Sequence, residues 1–141
     1  MGLFQLVYKS QAAENISYTD ILHILREARA SNSLRDITGV LVFREGTFLQ
    51  LLEGEEAEIR ELIKKIFEDD RHYHCKVLAE AATSDRIFPE YSMAYFDGDL
   101  SGKGNLEVDS ILEIGRRGLT AQTQVLQGFR IFRDSEPQLN I

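Results

Sequence analysis

Two apolar runs flanking Glu45-Gly46 constrain this chain of 141 residues more than any other feature. Val40-Leu-Val-Phe43, entered through Asp36-Ile-Thr-Gly39, is a near-continuous apolar run of the kind that fills a buried central strand. Gly46-Thr-Phe-Leu-Gln-Leu-Leu-Glu-Gly54 follows directly, and Glu45-Gly46 is a tight-turn dipeptide, so the pair predicts a β-hairpin. In an extended strand alternate side chains share a face, which groups Phe48, Gln50 and Leu52 against Thr47, Leu49, Leu51 and Glu53. Gln50 is out of place on the first of those faces. A buried amide without partners costs about 1–3 kcal/mol, so either Gln50 faces solvent or the core supplies its hydrogen bonds.

The remaining elements arrange themselves around this hairpin. Residues 3–9, LFQLVYK, alternate as a first strand with Phe4, Leu6 and Tyr8 on one face and Val7 on the other. Ser17-Tyr-Thr-Asp20 resembles a capping box and opens a helix on Ile21, Ile24, Leu25 and Ala28, a stripe that Asn32 extends. Gly54 closes the hairpin, and Glu55-Glu56 begin a second helix carried to about Glu68 by Ile59, Leu62, Ile63, Ile66 and Phe67. Residues 75–83 read as a fourth strand and Ser92–Phe96 as a short fifth. The order βαββαβ with an added edge strand predicts an α+β, ferredoxin-like fold with both helices on one sheet face. From Asp97 to Asn105 the composition is that of a linker, and two helical patterns follow at about 106–116 and 121–132. The expected division is a domain over 1–97 and a C-terminal helical extension over 98–141, with Val125, Phe129 and Phe132 covering the face that bears Val7, Leu49 and Leu51.

Composition narrows the function. Sixteen Lys and Arg against 23 Asp and Glu give a net charge of −7, which argues against general nucleic-acid or anionic-membrane binding. No stretch approaches a membrane span, the start MGLFQLVYKS lacks the pattern of a signal peptide, and the lone Cys75 suits a reducing compartment, so a cytoplasmic location is expected. His72-Tyr-His74-Cys75 has no second His/Cys cluster to complete a metal site. Glu53, Glu55 and Glu56 read as helix-start acids on a solvated face, and Gly102-Lys-Gly104 as linker.

Three polar side chains therefore fall on faces that should be apolar: Tyr8, Asn32 and Gln50. Singly, each has an ordinary explanation in a satisfied core or a helix end. Together they describe a polar, planar ligand, because amides donate and accept at once, as a flavin's pyrimidine edge requires.

LVYKS, Asn32 followed by DITGVL, GTFLQLLEG, EDDRHYH and the segment around FPEYSM occur in the order seen in the BLUF family of blue-light sensors using flavin, which residues 1–97 resemble. The resemblance implies a flavin, FAD or alternatively FMN, lying between the two helices above the sheet. Ile24 and Ile66 match the positions that sandwich its ring, Asn32 the amide on its polar edge, and Asp69, Arg71 and His72 residues toward the ribityl and phosphate end. Gln50 matches the switching glutamine, bonded to the electron donor Tyr8, and Met93 the methionine on the last strand that reads the change. No substrate is turned over in such a protein; the output goes to a separate partner, and a homo-oligomer is expected. One departure stands out: the family commonly has Trp two residues before the methionine, where this chain has Tyr91 and contains no Trp. Tyr91 is then either an alternative donor or a surface residue. The rival reading is a light-indifferent, ferredoxin-like interaction module in which Tyr8 and Gln50 are structural.

Overall fold

The computed structural model describes residues 2–100, 103–118 and 121–140. Its elements run β1 (Leu3–Ala12), α1 (Tyr18–Arg35), β2 (Thr38–Arg44), β3 (Thr47–Gly54), α2 (Glu56–Phe67), β4 (His72–Thr83), β5 (Ala94–Asp97), α3 (Asn105–Gly115) and α4 (Gln122–Asp134). The five strands form one sheet in the order β4-β1-β3-β2-β5, antiparallel except for the parallel β2–β5 pair. This is the expected α+β arrangement, with β5 as the added edge strand. Gly102 of the Gly102-Lys-Gly104 stretch lies outside the described residues.

Local chemistry explains the element ends. Glu45 and Gly46 both take positive φ, 50° and 78°, the combination that matches a two-residue turn to the twist of β2 and β3. A Cβ on Gly39 would lie 2.0 Å from the carbonyl oxygen of Leu51, so only glycine lets β2 approach β3 at that register. The capping box of α1 forms in full: Ser17 Oγ accepts from the Asp20 N–H at 3.1 Å, and Asp20 Oδ2 accepts from the Ser17 N–H at 2.9 Å.

Each sheet face carries its own core. Phe4, Leu6, Tyr8, Leu41, Phe48 and Leu52 face α1 and α2, whose Ile21, Leu25, Ile59 and Leu62 are buried on them. On the other face Val7, Val40, Val42, Leu49 and Leu51 pack with Val108 and Ile111 of α3 and Val125, Phe129 and Phe132 of α4. The two C-terminal helices meet closely at Gly128, where a Cβ would stand 2.6 Å from Ile111 Cγ1.

Two expectations need correction here. The fifth strand begins at Ala94 rather than Ser92, so Met93 precedes the strand instead of lying in it. The β2–β5 pairing begins at Val40 and Ala94, and before it Tyr91 gives its carbonyl to the Gly39 N–H of β2 at 3.1 Å. Glu53, expected on a solvated face, is completely buried. Its carboxylate accepts from Gln5 Nε2 at 2.7 Å and from the backbone N–H groups of Ile87 at 2.7 Å and Phe88 at 2.8 Å. Three donors in a dry place satisfy a carboxylate, and they hold the turn segment that leads to Met93.

Candidate functional site

A cavity of about 230 Å³ opens between α1 and α2 above the sheet. Tyr8 of β1 and Gln50 of β3 form its floor because the two strands pair in a register that sets these residues directly opposite each other. The Tyr8 hydroxyl donates to Gln50 Oε1 at 2.5 Å, and both side chains are buried. Gln50 Nε2 points at Met93 Sδ, 3.4 Å away. The amide therefore has one strong partner and one weak one, a thioether sulfur being a poor acceptor. Burial, and then the nearby Cys75 and Asp69, hold the Tyr8 phenol well above the usual tyrosine range, which keeps its proton in place.

Asn32 sits in the last turn of α1 and lines the same cavity. Its Nδ2 donates to the Ser92 carbonyl at 2.8 Å, whereas its buried Oδ1 has no hydrogen-bond partner among the described residues. An orphaned acceptor in a core costs free energy unless a ligand supplies a donor. Ile24 from α1 and Ile66 from α2 give the cavity aliphatic walls, and Leu41 and Phe48 extend its floor.

The mouth is ionic. Arg71 binds Asp69 through Nε at 2.9 Å and NH2 at 2.5 Å, and reaches Glu27 through NH1 at 3.2 Å. The hydrogen bonds that Arg71 donates hold the Asp69 carboxyl below the usual carboxylate range, and its bonds to the Asp69 and Glu27 carboxylates raise Arg71 further. His72 spends both ring nitrogens inside the protein: Nε2 donates to the Ile66 carbonyl at 2.6 Å, leaving Nδ1 to accept from Ser10 Oγ at 2.7 Å. Its ring thus fixes the wall residue Ile66.

Of the residues singled out in the sequence, Tyr8, Ile24, Asn32, Gln50, Ile66, Asp69, Arg71 and His72 all line this one cavity, and Met93 touches it through Gln50. Tyr91 does not join them. It packs against the core beneath α3 and α4, near Phe88 and with the Arg133 guanidinium 6.0 Å from its ring centroid, so it is neither a second donor at the cavity nor a free surface residue. Sequence reasoning missed Glu27, Ser31 and Lys65 at the cavity rim. Glu27 lies three residues along α1 from Ile24, and Ser31 four further on, a spacing that placed them beside the stripe. No group of three or more His, Cys, Asp or Glu among the described residues could hold a metal ion.

The sequence model of the BLUF family, sensors of blue light using FAD, matches residues 3–94. The chain belongs to that family. It is 30% identical to the blue light- and temperature-regulated antirepressor BluF of Escherichia coli K12 over 92% of this chain, but spans only 32% of that relative. The match to the photoactivated adenylate cyclase subunit alpha of Euglena gracilis is 37% identical over 61% of this chain and 8% of the relative. Among solved structures, the photo-activated state of BlsA superposes with a TM-score of 0.76 at 30% identity, covering 99% of both chains. A bacterial light-regulated adenylyl cyclase gives 0.72 at 28% identity and covers 94% of this chain but 36% of its own. In the cyclase relatives most of the length thus lies outside the match, and what this chain shares with them is the BLUF part, the family of flavin-based blue-light sensors. The family match favours a sensor over a light-indifferent interaction module. Among the described residues no helix is long and apolar enough to cross a membrane.

Proposed function

We propose that this BLUF protein stores the light signal as a rearranged hydrogen-bond network at Tyr8, Gln50 and Met93, and passes it to a separate protein. The observation that carries this reading is the buried contact of 2.5 Å between Tyr8 and Gln50 on the floor of the cavity. A bound flavin, excited by blue light, supplies a strong electron acceptor. The residues present fit such a group: Asn32 offers an unpaired acceptor for a ring N–H, and Ile24 and Ile66 offer apolar surfaces for its two faces. Tyr8 is the donor, since its buried phenol is neutral, carries its proton at Oη, and has that proton already aimed at Gln50 Oε1. With a flavin bound, Tyr8 would give it an electron and, relayed through Gln50, the Oη proton; recombination would return both to Tyr8 and leave the Gln50 amide rotated. That motion exchanges a hydrogen-bond acceptor for a donor toward Tyr8, and removes the weak Nε2 contact to Met93 Sδ. The new arrangement is a second packing of the same side chains, which is how a local electronic event becomes a conformational state.

FAD is the proposed flavin, in keeping with the family description, and FMN, with which a structure of Klebsiella pneumoniae BlrP1 was solved, fits the same ring seat. A cytoplasmic site of action and self-association belong to the same reading, the first consistent with the free thiol of Cys75. Purified protein should be yellow and show a reversible red shift of the flavin band under blue light, and chromatography of the released chromophore should give FAD. A colourless protein, or a flavin spectrum that light leaves unchanged, would contradict the proposal.

A further inference from the structure

The outer edge of β5 is covered by the chain's own C-terminal segment. β5 pairs with β2 on one side, and on the other Tyr95 makes a two-way bridge with Asn140: Tyr95 N–H to the Asn140 carbonyl at 2.9 Å, and Asn140 N–H to the Tyr95 carbonyl at 2.7 Å. Leu139 seats against the core beneath α3 and α4. The Arg29 side chain joins this bridge to Met93. Arg29, on α1, donates through Nε to the Met93 carbonyl at 2.9 Å and through NH2 to the Asn140 carbonyl at 3.1 Å. Met93 is also the residue whose sulfur receives Gln50 Nε2. One guanidinium thus holds the residue expected to move and the segment that closes the edge, in a planar fork whose two bonds share one geometry. Beside the bridge lies a cleft lined by Tyr18, Tyr95, Asp97, Leu100 and Leu139, in which Tyr18 and Leu100 are exposed.

We propose that the outer edge of β5 is the output surface of this protein, closed in the dark by residues 137–140 under the Arg29 clasp. When Met93 shifts, Arg29 cannot hold both carbonyls, and the segment leaves the edge. The exposed edge then accepts an extended segment of a partner protein that adds as a strand, with an apolar side chain in the seat of Leu139. The tail is the best guide to that partner, because it already occupies the seat as an extended chain. This inference rests on the proposed photocycle at Tyr8, Gln50 and Met93.

The test follows backbone amide exchange by NMR in the full flavin-loaded chain, in the dark and under continuous blue light, with the red shift recorded on the same sample. Protection of the Tyr95 and Asn140 amides should fall at least tenfold in light, while the Val7 and Leu51 amides of the sheet centre stay protected. Arg29→Ala should lose the same two protections already in the dark and keep a red shift; Arg29→Lys, which reaches one carbonyl at a time, should fall between. The free peptide SEPQLNI, the sequence of residues 135–141, should bind the illuminated chain at least tenfold more tightly than the dark one, and should lose that preference when its leucine becomes aspartate. A normal red shift with light-indifferent protection, or without light-selective peptide binding, overturns this inference and leaves the photocycle standing. An absent red shift overturns both. Should Arg29→Ala fail to fold, the dark–light comparison of the unaltered chain decides alone.

Discussion

The two faces of one sheet have been put to opposite uses. Beneath α3 and α4 the strands present Val7, Val40, Val42, Leu49 and Leu51 to a core closed by Phe88, Phe96, Phe129 and Phe132. Beneath α1 and α2 the same strands present Tyr8 and Gln50 to a cavity, with Asn32 above them and one of its acceptors unpaired. Because successive side chains alternate, Leu49, Gln50 and Leu51 contribute to both faces within three residues. The first face stabilises by burial and dispersion; the second gives up packing for polar groups that only a ligand completes. A change on the first face should therefore affect folding before it affects light sensing, and a change on the second should do the reverse.

The largest effect that separates the faces is expected from Phe129→Ala. The ring is fully buried between α4 and the sheet, and its removal should cost about 3–5 kcal/mol in a urea titration, with the red shift unchanged in the fraction that stays folded. Glu53→Gln should cost less, about 1–3 kcal/mol, because one of the buried N–H groups of Ile87 and Phe88 loses its acceptor. It sharpens the comparison, since Glu53 is three residues from Gln50 yet sits with the structural face. Asn32→Ala should weaken flavin retention by about 1–3 kcal/mol, roughly five- to 150-fold in affinity, measured by occupancy after dialysis, with little change in the urea midpoint of the apoprotein. Alkali gives the smallest effect. Burial raises the phenols of Tyr8 and Tyr95 in the folded chain, so their contribution to stability is complete below the ordinary tyrosine value near 10. Above it the unfolded chain ionises first, and stability should fall steadily with pH; Tyr8→Phe should flatten that slope.

The hairpin, both α1 and α2, and the order of the strands were legible because periodicity, a capping box and turn dipeptides act locally. So was the cavity floor, since Gln50 and Tyr8 break an apolar pattern in a way that alternation exposes. Glu53 was not, because its partners are the backbone N–H groups of Ile87 and Phe88, more than thirty residues away, and no side-chain pattern announces a backbone donor. Tyr91, read as either an alternative donor or a surface residue, was not legible either: it packs near Phe88 on the core beneath α3 and α4, a placement set by tertiary packing. The ionic rim of Glu27, Asp69 and Arg71 joins α1 to the turn before β4, a pairing set by tertiary packing alone.

The proposed light response turns on the Tyr8 hydroxyl, which is buried, neutral and 2.5 Å from Gln50 Oε1. Tyr8→Phe keeps the ring that packs at 5.3 Å from Phe67 and deletes only the donor. A light-minus-dark absorption spectrum of this variant, loaded with flavin, is the direct measurement. With Tyr8 as the donor, flavin should stay bound at wild-type occupancy and no red-shifted state should form; a wild-type difference spectrum would contradict that role.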